Sequence, residues 1–430
     1  MGLTRIAEYK NQKKNERSPL ERGTVIINGQ DRYVIGDLFG YGGSALIYSA
    51  EKYTEGNQGK KEVAIKEIYP SPENGCYGRG EDGILFPDYS DENKKRSAEE
   101  FLRKLYDRLD QEELTGERLK EDVFLICPIK ILSQAHFEHG KTRIRGLSEM
   151  QNMNQSASSL PQVLEALNKK YDGKIPFINS ADSGLYSLRI ITKITETLSK
   201  IHAAGFLYGD LSPGNIFLLE GTWEAVFIDF GSTISLNTKI AYIPCTPGYR
   251  APELLDPTMT EKKTASADVF AVCSILFELI SGKAFAIPDG EFFRLTYDNL
   301  RLVPWSRMKE IGIENPAEGL ILNYIFLHGL TEKPEQRIQT AGELLRLLNF
   351  AEEIGRKSDL FSSLCILHKS KFLKDLWISD KKEQTEGTRL LWGFFKSESI
   401  TPDTQNLFLA VENLNKRLGT NIYDIQKMSF

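Results

Sequence analysis

The sequence lacks several features that mark specialised protein classes. Its 54 lysines and arginines are balanced by 59 aspartates and glutamates, so no basic excess points to nucleic acid or to an anionic membrane. Its five cysteines are scattered without a CxxC pair, which argues against a disulfide framework and against a zinc site. The first 25 residues contain no apolar signal-peptide core, and no apolar run could span a bilayer. We therefore expect a cytoplasmic protein without nucleic-acid or membrane partners.

The composition that remains is that of a globular protein with a sizeable core. Of the 430 residues, 41% are hydrophobic and 26% are charged, which excludes wholesale disorder. The composition and periodicity change along the chain, and these changes predict four segments. They are a flexible tail over residues 1–25, a strand-rich part over 26–152 with a loop insertion at 71–92, a helix-rich part over 153–350, and a helical extension over 351–430.

Residues 26–152 have the pattern of a β-meander. Arg32–Phe39, Leu46–Ala50 and Glu62–Ile68 are rich in β-branched and aromatic residues and follow one another closely, which favours antiparallel pairing. We expect further strands near Val123–Leu132 and Thr142–Leu147. Between these groups of strands, Ser97 is a candidate N-cap for a helix that reaches Leu114.

After about residue 155 the apolar period becomes helical. A stripe with steps of three and four residues consists of Leu188, Ile191, Ile194, Leu198 and Ile201. Ala267–Ile280 is apolar on nearly all sides, which indicates a buried helix, and we expect further helices at Thr340–Leu348 and Thr401–Leu418. Strands followed by helices predict an α+β fold with two lobes and a ligand cleft between them. The extension would pack on the second lobe, form a dimer, or dock a partner.

Four short motifs carry chemistry, and the first two lie among the strands. Gly40-x-Gly42 lies between two strands, where glycine lets backbone N–H groups approach phosphate oxygens, although most such hairpins are plain turns. Lys66 ends the apolar strand Val63–Lys66. A lysine there either extends outward into solvent or presents its ammonium to a phosphate group.

The other two motifs are acidic and lie in the helix-rich part. Asp210 and Asn215 share one loop after the striped helix, where a carboxylate could accept a hydroxyl proton and an amide oxygen could ligate Mg²⁺. Asp229 ends the apolar strand Val226–Asp229 and precedes Phe230-Gly231, a position suited to a metal that bridges two phosphates.

In this order, the glycine loop, Lys66, Asp210-x4-Asn215 and Asp229-Phe-Gly resemble the motifs of the eukaryotic-type protein kinases, in a form like the bacterial serine/threonine kinases. The resemblance covers about residues 33–350. Thr246–Glu253 is similar to the end of an activation segment, and Arg337 resembles the arginine that pairs with its glutamate, here Glu253. Asp268 and His202 also match family positions. The resemblance implies a β-rich N-lobe and an α-helical C-lobe.

The resemblance assigns roles to individual residues. It implies ATP and Mg²⁺ as ligands, with Lys66 on the α- and β-phosphates, Asp229 and Asn215 on Mg²⁺, and Asp210 as the group that orients and deprotonates the acceptor hydroxyl. Ser148 would be the gatekeeper and Phe39 would help to cover the adenine. The remaining nucleotide-binding positions are Gly40, Tyr41, Gly42, Gly43, Ser44, Ile47, Ala64, Glu149 and Met150.

Several positions depart from the family pattern, beginning with Ala45, which stands at the third glycine of the loop and is a small, tolerated change. Gly209 replaces the arginine that normally receives an activation-loop phosphate, which predicts activity without phosphorylation of Ser232, Thr233, Ser235 or Thr238. Ser212 replaces a lysine near the γ-phosphate. The glutamate that pairs with Lys66 is assigned to Glu100, with Glu99 and Glu113 as neighbouring candidates and an unpaired lysine as the alternative.

Three functions are compatible with these residues. The leading hypothesis is a kinase that phosphorylates serine and threonine in protein substrates. A pseudokinase that binds nucleotide or a partner without transfer is favoured by Ser212 and opposed by the intact Lys66, Asp210, Asn215 and Asp229. A kinase for small molecules is disfavoured by Thr246–Glu253, since that segment shapes a peptide platform in the family.

Overall fold

The computed structural model describes residues 17–56, 59–80, 82–153, 157–163, 183–236, 246, 248–254, 264–281, 303, 305–331 and 333–356. The chain divides into two compact units. The first unit comprises Met1–Pro161 and Pro213–Ile234, and the second comprises Gln162–Ser212 and Ser235–Phe430. The segment around Asn215 and Asp229 therefore belongs to the strand-rich unit, although its position in the sequence suggested the helix-rich one. The helix expected at Thr401–Leu418 lies outside the described residues.

The first unit is built on a seven-stranded sheet with the order β7-β9-β4-β3-β2-β1-β8, in which all neighbours are antiparallel. The three strands predicted for the meander are confirmed and lie at its centre. The two later predictions are displaced, since only Lys130–Ile131 forms a strand in the first and the second begins at Leu147. The strands are β1 (Val25–Asn28), β2 (Asp31–Tyr41), β3 (Ala45–Thr54), β4 (Lys60–Ile68), β7 (Lys130–Ile131), β8 (His136–Phe137) and β9 (Leu147–Gln151).

A long helix, α1 (Glu92–Leu119), packs its apolar stripe into the core of this unit. It begins five residues before the predicted Ser97, because the Asp91 carboxylate accepts hydrogen bonds from the N–H groups of Asn93 and Lys94 and caps the first turn. Leu102, Leu105 and Leu109 of the helix share one buried cluster with the apolar residues of β3 and β4. The helix is therefore fixed against the sheet by burial of its apolar stripe.

The segment predicted as a loop insertion, 71–92, contains a small structure of its own. A 3-10 turn at Pro72–Asn74 leads into a hairpin of β5 (Tyr77–Arg79) and β6 (Leu85–Pro87). A separate three-stranded sheet in the first unit has the order β10-β12-β13. Its strands are β10 (Ala157–Ser159), β12 (Ile216–Leu219) and β13 (Ala225–Phe227), and a 3-10 turn at Pro213–Asn215 precedes β12.

The predicted flexible tail over residues 1–25 is wrong from Arg17 onward. Arg17 and Leu20 are buried, and the N–H of Leu20 donates to the Tyr48 hydroxyl at 3.1 Å. No apolar period marks this segment, because it is held by hydrogen bonds to the sheet rather than by an amphipathic face. Residues 1–16 lie outside the described part.

The second unit is helical, as expected. The buried stripe predicted around Leu188–Ile201 belongs to α2, and the apolar helix predicted at Ala267–Ile280 is the buried α3. The short strand β11 (Phe206–Leu207) follows α2, and β14 (Ile234–Ser235) begins with the last residue of the first unit. The helices are α2 (Ser183–Ala203), α3 (Ser266–Ser281), α4 (Trp305–Glu310), α5 (Pro316–Gly329) and α6 (Ala341–Gly355). Among the described helices of the chain, none is long and apolar enough to cross a membrane.

A buried ion pair ties two distant parts of the second unit together. Arg337 donates from Nη1 and Nη2 to the two Glu253 carboxylate oxygens at 2.7 and 3.0 Å, and it also donates to the carbonyls of Ser266 and Thr331. The pairing predicted for these two residues is confirmed. Because both side chains are buried away from water, each depends on the other as its hydrogen-bond partner and counter-charge.

Replacing Glu253 by alanine should therefore leave the Arg337 guanidinium buried without the carboxylate that accepts two of its hydrogen bonds. We expect the free energy of unfolding to fall by about 3–5 kcal/mol, measured by chemical denaturation. Glu310→Ala removes an exposed pair with Arg307 and should change stability by less than about 1 kcal/mol. A loss for Glu253→Ala no larger than that of the control would show that the buried pair is not structural.

Candidate active site

Three charged side chains of the first unit meet at one point. The Lys66 Nζ lies 2.8 Å from Glu112 Oε2 and 3.3 Å from Asp229 Oδ1. Lys66 and Glu112 are almost completely buried, whereas 41% of the Asp229 side chain is exposed. A buried ammonium is stable only with such partners, so the three groups fix one another. Asp229 alone presents its carboxylate to the outside.

The helix α1 supplies Glu112, which corrects the assignment of Glu100. Ala98, Leu102, Leu105 and Leu109 are buried at helical spacing, and the next position of this stripe is Glu112. Glu100 lies on the opposite, exposed side, where its carboxylate pairs with Lys104 at 2.9 Å. Glu113, one of the alternatives, instead accepts a hydrogen bond from the N–H of Ile131. A single glutamate within an apolar stripe was the signal that could have identified Glu112.

Asp229 is placed by its backbone and by a second contact from α1. Its φ of 61° lies in the left-handed region, an unusual conformation for a residue with a side chain that is often found at functional sites. Arg108, one turn before Glu112, donates to the Gly231 carbonyl at 3.2 Å and to the Ser232 hydroxyl at 3.0 Å. The helix therefore contacts the Asp229–Ser232 segment at two points through Arg108.

The charges in this cluster shift one another's protonation. Burial alone would lower the pKa of Lys66, but the nearby Asp229 and Glu112 carboxylates raise it above its usual value. Burial raises the pKa of Glu112, against the attraction of Lys66. For Asp229, burial is outweighed by Lys66 and Arg108, so its pKa is lowered and it stays ionised at neutral pH. An ionised, partly exposed carboxylate is suited to a divalent cation.

Asn215 is brought next to Asp229 by the hairpin of β12 and β13. Ile216 lies opposite Phe227 in this hairpin, and the Asn215 carbonyl accepts a hydrogen bond from the N–H of Ile228 at 3.1 Å. Asn215 is thus bonded to the residue that precedes Asp229. The structure brings Lys66, Asn215 and Asp229 into one unit, as the motifs required.

Four of the predicted nucleotide-binding residues, Ile47, Ala64, Lys66 and Met150, share one face of the central sheet. In the antiparallel register, Lys66 lies opposite Ile47 on β3 and opposite Ser148 on β9, and Ala64 lies opposite Met150. Directly opposed residues point to the same side of a sheet, and Ala64 and Lys66 are two positions apart. Ser148, the predicted gatekeeper, is buried, and its hydroxyl has no hydrogen-bond partner within the described part of the chain.

Glu149 has a different contact from the one that its predicted role requires. Its carboxylate accepts hydrogen bonds from the Tyr33 hydroxyl and from Lys52, each at 2.7 Å, and Lys52 also pairs with Asp31. The side chain of Glu149 therefore anchors β9 to β2 and β3, which leaves its backbone as the group that could face a nucleotide.

The glycine-rich turn between β2 and β3 is closed by a bond from the Gly42 N–H to the Ala45 carbonyl at 2.9 Å. Gly40 and Tyr41 still belong to β2, where they pair with Ile47 and Leu46, so only Gly42, Gly43 and Ser44 form the tip. A Cβ added at Gly42 would meet no atom within 4 Å. The space around this glycine is open, as the approach of a ligand to the backbone requires.

In the second unit, Asp210 lies in a loop that one buried acid organises. Asp268, at the start of α3, accepts hydrogen bonds from the N–H groups of Tyr208 and Gly209 at 2.7 and 2.9 Å and from His202 Nε2 at 2.9 Å. Asp210 follows directly, and its Oδ1 accepts a hydrogen bond from the Thr246 N–H at 2.5 Å. Asp210 also lines a small cavity with Thr246, Tyr249 and Arg250.

The backbone gives a physical reason for glycine at position 209. Its φ of 87° lies in the left-handed region, which glycine adopts without steric cost. Because the N–H of this residue must also reach Asp268, the conformation is fixed from two sides. Glycine in place of arginine therefore avoids the steric strain of a positive φ at this position, and it also removes a positive charge.

Comparison with known proteins agrees with these observations. Residues 141–310 match the protein kinase domain model. The chain is 27% identical over 170 residues to the serine/threonine-protein kinase Pkn1 of Myxococcus xanthus, covering 38% of this chain and 23% of the relative. It is 25% identical over 162 residues to the serine/threonine-protein kinase PknH of Mycobacterium tuberculosis, covering 37% and 24%.

A further relative carries a name that bears on activity. Over 120 residues the chain is 32% identical to a receptor-like protein kinase of Arabidopsis thaliana whose name describes it as inactive, covering 28% of this chain and 20% of the relative. The chain thus spans about a quarter or less of the length of these relatives. The resemblance to the eukaryotic-type protein kinases is confirmed, and so is the α+β, two-lobed kinase fold.

The identity of the Lys66 partner can be tested without any assay of activity. Glu112→Gln removes the negative charge beside Lys66, which lowers the lysine pKa and increases its unprotonated fraction about tenfold per pKa unit. We expect an amine-acylating reagent at about pH 8 to modify Lys66 at least several-fold faster, as followed by peptide mass spectrometry.

Glu100→Gln is the matched control, because it removes the same charge from the exposed side of the same helix. Lys66 modification should then proceed at the parental rate. Faster modification of Lys66 in Glu100→Gln, with no change in Glu112→Gln, would reverse the assignment.

Proposed function

We propose that the protein transfers the γ-phosphoryl group of Mg-ATP to serine and threonine hydroxyls of protein substrates. The observation that carries the proposal is the meeting of Lys66 with Glu112 and Asp229. In phosphoryl transfer the protein mainly positions the reactants and stabilises charge, so a preformed lysine and carboxylate arrangement is the part that matters most. The cytoplasmic location expected from the scattered cysteines belongs to the same proposal.

The residues fit Mg²⁺ as the cofactor. Mg²⁺ is usually bound by one or two carboxylates together with water and substrate phosphates. Asp229 is ionised and partly exposed, and Asn215 offers an amide oxygen nearby in the fold. The ion would neutralise charge on the transferred group.

The chain's own residues account for the remaining steps. Lys66, held by Glu112, would contact the α- and β-phosphates, while the backbone at Gly42, Gly43 and Ser44 would cover them. Asp210 would orient the acceptor hydroxyl and accept its proton. The hydrogen bond from the Thr246 N–H to Asp210 ties this carboxylate to the segment that resembles a peptide platform.

A scaffold that binds nucleotide without transfer is the second candidate. It is supported by Ser212, which is buried and replaces the lysine near the γ-phosphate, and by the relative whose name describes it as inactive. Binding of Mg-ATP without incorporation of label into any acceptor would favour this function over catalysis.

Transfer is tested by incubating the protein with γ-labelled ATP, Mg²⁺ and a generic protein acceptor. Asp210→Asn removes the proton acceptor while it preserves the shape of the side chain, so labelling should fall about 10²- to 10⁴-fold. Asp110→Asn, the same change on the exposed side of α1, should leave the rate unchanged. Label on tyrosine, or equal labelling by both variants, would contradict the proposal.

Activity without activation-loop phosphorylation is part of the proposal. Gly209 provides no positive charge for a phosphate, and Ser232 and Thr233 are buried, so a kinase could not reach them in this conformation. Ser232 is already held by Arg108. Thr238 lies outside the described residues. The loop would therefore be ordered by permanent contacts in place of a phosphate.

A variant with alanine at Ser232, Thr233, Ser235 and Thr238 should keep a labelling rate within about fivefold of the parent, a factor that corresponds to the loss of a side-chain hydrogen bond such as the one from Arg108 to Ser232. Treatment of the parent protein with a phosphatase should have no effect on the rate. A collapse of activity in both experiments would show that a phosphate in this loop is required.

A further inference from the structure

The tip of the glycine-rich turn is held by groups from outside its own hairpin. The Gly42 carbonyl accepts a hydrogen bond from Arg17 Nη1 at 2.9 Å. The Gly43 carbonyl accepts from the Ser71 N–H at 2.8 Å and from Asn74 Nδ2 at 2.9 Å, and the Ser44 carbonyl accepts from the Tyr69 N–H at 3.0 Å. Three consecutive carbonyls are thus bound by Arg17 and by residues 69–74.

These bonds set the direction of the amides in the same turn. In a trans peptide the carbonyl of one residue and the N–H of the next point in opposite directions. Binding of the Gly42, Gly43 and Ser44 carbonyls therefore turns the N–H groups of Gly43, Ser44 and Ala45 away from residues 69–74. Successive N–H groups in a turn form a concave site for anions.

Arg17 is firmly placed for this role. It is 6% exposed, and the same Nη1 also donates to the Tyr69 carbonyl at 3.0 Å. Its guanidinium lies over the Tyr41 ring, 5.6 Å from the centroid. The Ser18 N–H donates to the Tyr69 hydroxyl, and Arg79 donates to the Ser18 carbonyl, so the backbone beside Arg17 is anchored as well. The guanidinium of Arg17 is therefore held in one position by several partners in a buried environment.

Asn74 comes from the insertion and meets the turn from the other side. It ends the 3-10 turn at Pro72–Asn74, whose proline restricts the backbone, and its Nδ2 also donates to the Ser71 hydroxyl at 3.2 Å. A Cβ added at Gly43 would lie 3.4 Å from Asn74 Nδ2, so the two groups are in close contact. Asn74 itself is exposed, which makes it a contact that can be removed with little effect on folding.

We propose that Arg17 and Asn74 are positioning residues that hold the glycine-rich turn in the form that receives nucleotide phosphates. The inference rests on the proposed function and adds two residues from outside the four motifs. It predicts that their loss affects phosphate binding specifically, because neither residue lies on the strands that carry Ile47 and Ala64.

The test compares Arg17→Ala, Arg17→Lys and Asn74→Ala with the parent protein and with Arg22→Ala. Arg22 is the matched control, since its side chain is exposed and pairs only at the surface with Asp37. Calorimetric titration with Mg-ADP should give a Kd about tenfold higher for Arg17→Ala and a smaller increase for Asn74→Ala. Arg17→Lys should recover part of the loss. The Kd for adenosine should stay within about twofold in every variant.

A second readout does not depend on nucleotide. Amide hydrogen exchange of peptides that cover residues 40–46, measured without ligand, should be about tenfold faster in Arg17→Ala and unchanged in Arg22→Ala. An unchanged Mg-ADP affinity and exchange rate in both Arg17→Ala and Asn74→Ala would overturn the inference. An equal loss of adenosine and Mg-ADP binding would also overturn it, because the effect would then be structural only.

The two proposals can fail separately. A parent protein that binds Mg-ADP while the variants bind it equally well overturns the positioning role alone. A parent protein that binds neither Mg-ADP nor Mg-ATP overturns the proposed function, and faster exchange in Arg17→Ala would then still support the holding of the turn.

Discussion

The buried ammonium of Lys66 is the constraint on which the first unit depends. Removing a charge from water is costly, so Lys66 can stay where it is only if carboxylates meet it there. One carboxylate comes from α1 and the other from the end of the β12–β13 hairpin, and each element has its own reason to pack nearby. The apolar stripe of α1 fixes the helix rotation that points Glu112 inward, while pairing of Ile216 with Phe227 fixes where Asp229 emerges. The ion cluster can therefore form only when β4, α1 and the β12–β13 hairpin are packed together.

In the second unit, Asp268 is also a buried acid that needs hydrogen-bond partners within the protein. This acid is buried among apolar residues of α3, and its oxygens are satisfied by the backbone of Tyr208 and Gly209 and by His202. In both units a buried charge is used to fix a loop that carries an exposed or partly exposed carboxylate, Asp229 in one and Asp210 in the other. Such pre-organisation is what electrostatic catalysis requires, since the groups need not rearrange when charge develops.

Much of this arrangement could be predicted from the sequence, and the failures have physical causes. The central strands, α2 and α3 follow from periodicity, and the order of the four motifs indicated the kinase resemblance. Glu112 was missed in favour of Glu100 because the glutamate that faces inward is decided by burial at seven-residue steps along the helix. Arg17 was missed because its contacts are with carbonyls 25 and 52 residues away, and such contacts leave no periodic trace. The link from Asp268 to His202 and Gly209 spans about sixty residues and is invisible for the same reason.

The departures from the family pattern and the contacts found only in the structure have a common explanation. Under the proposed function, glycine at position 209 offers no positive charge to a loop phosphate, so order in the site would come from contacts that are always present. The structure contains such contacts on two segments of the candidate site: Arg108 contacts the Asp229–Ser232 segment, and Arg17 and Asn74 contact the glycine-rich turn. Each uses a side chain outside the motifs and a backbone carbonyl inside them. If order is built in this way, regulation of the protein has to act on substrate access or on partners rather than on assembly of the site.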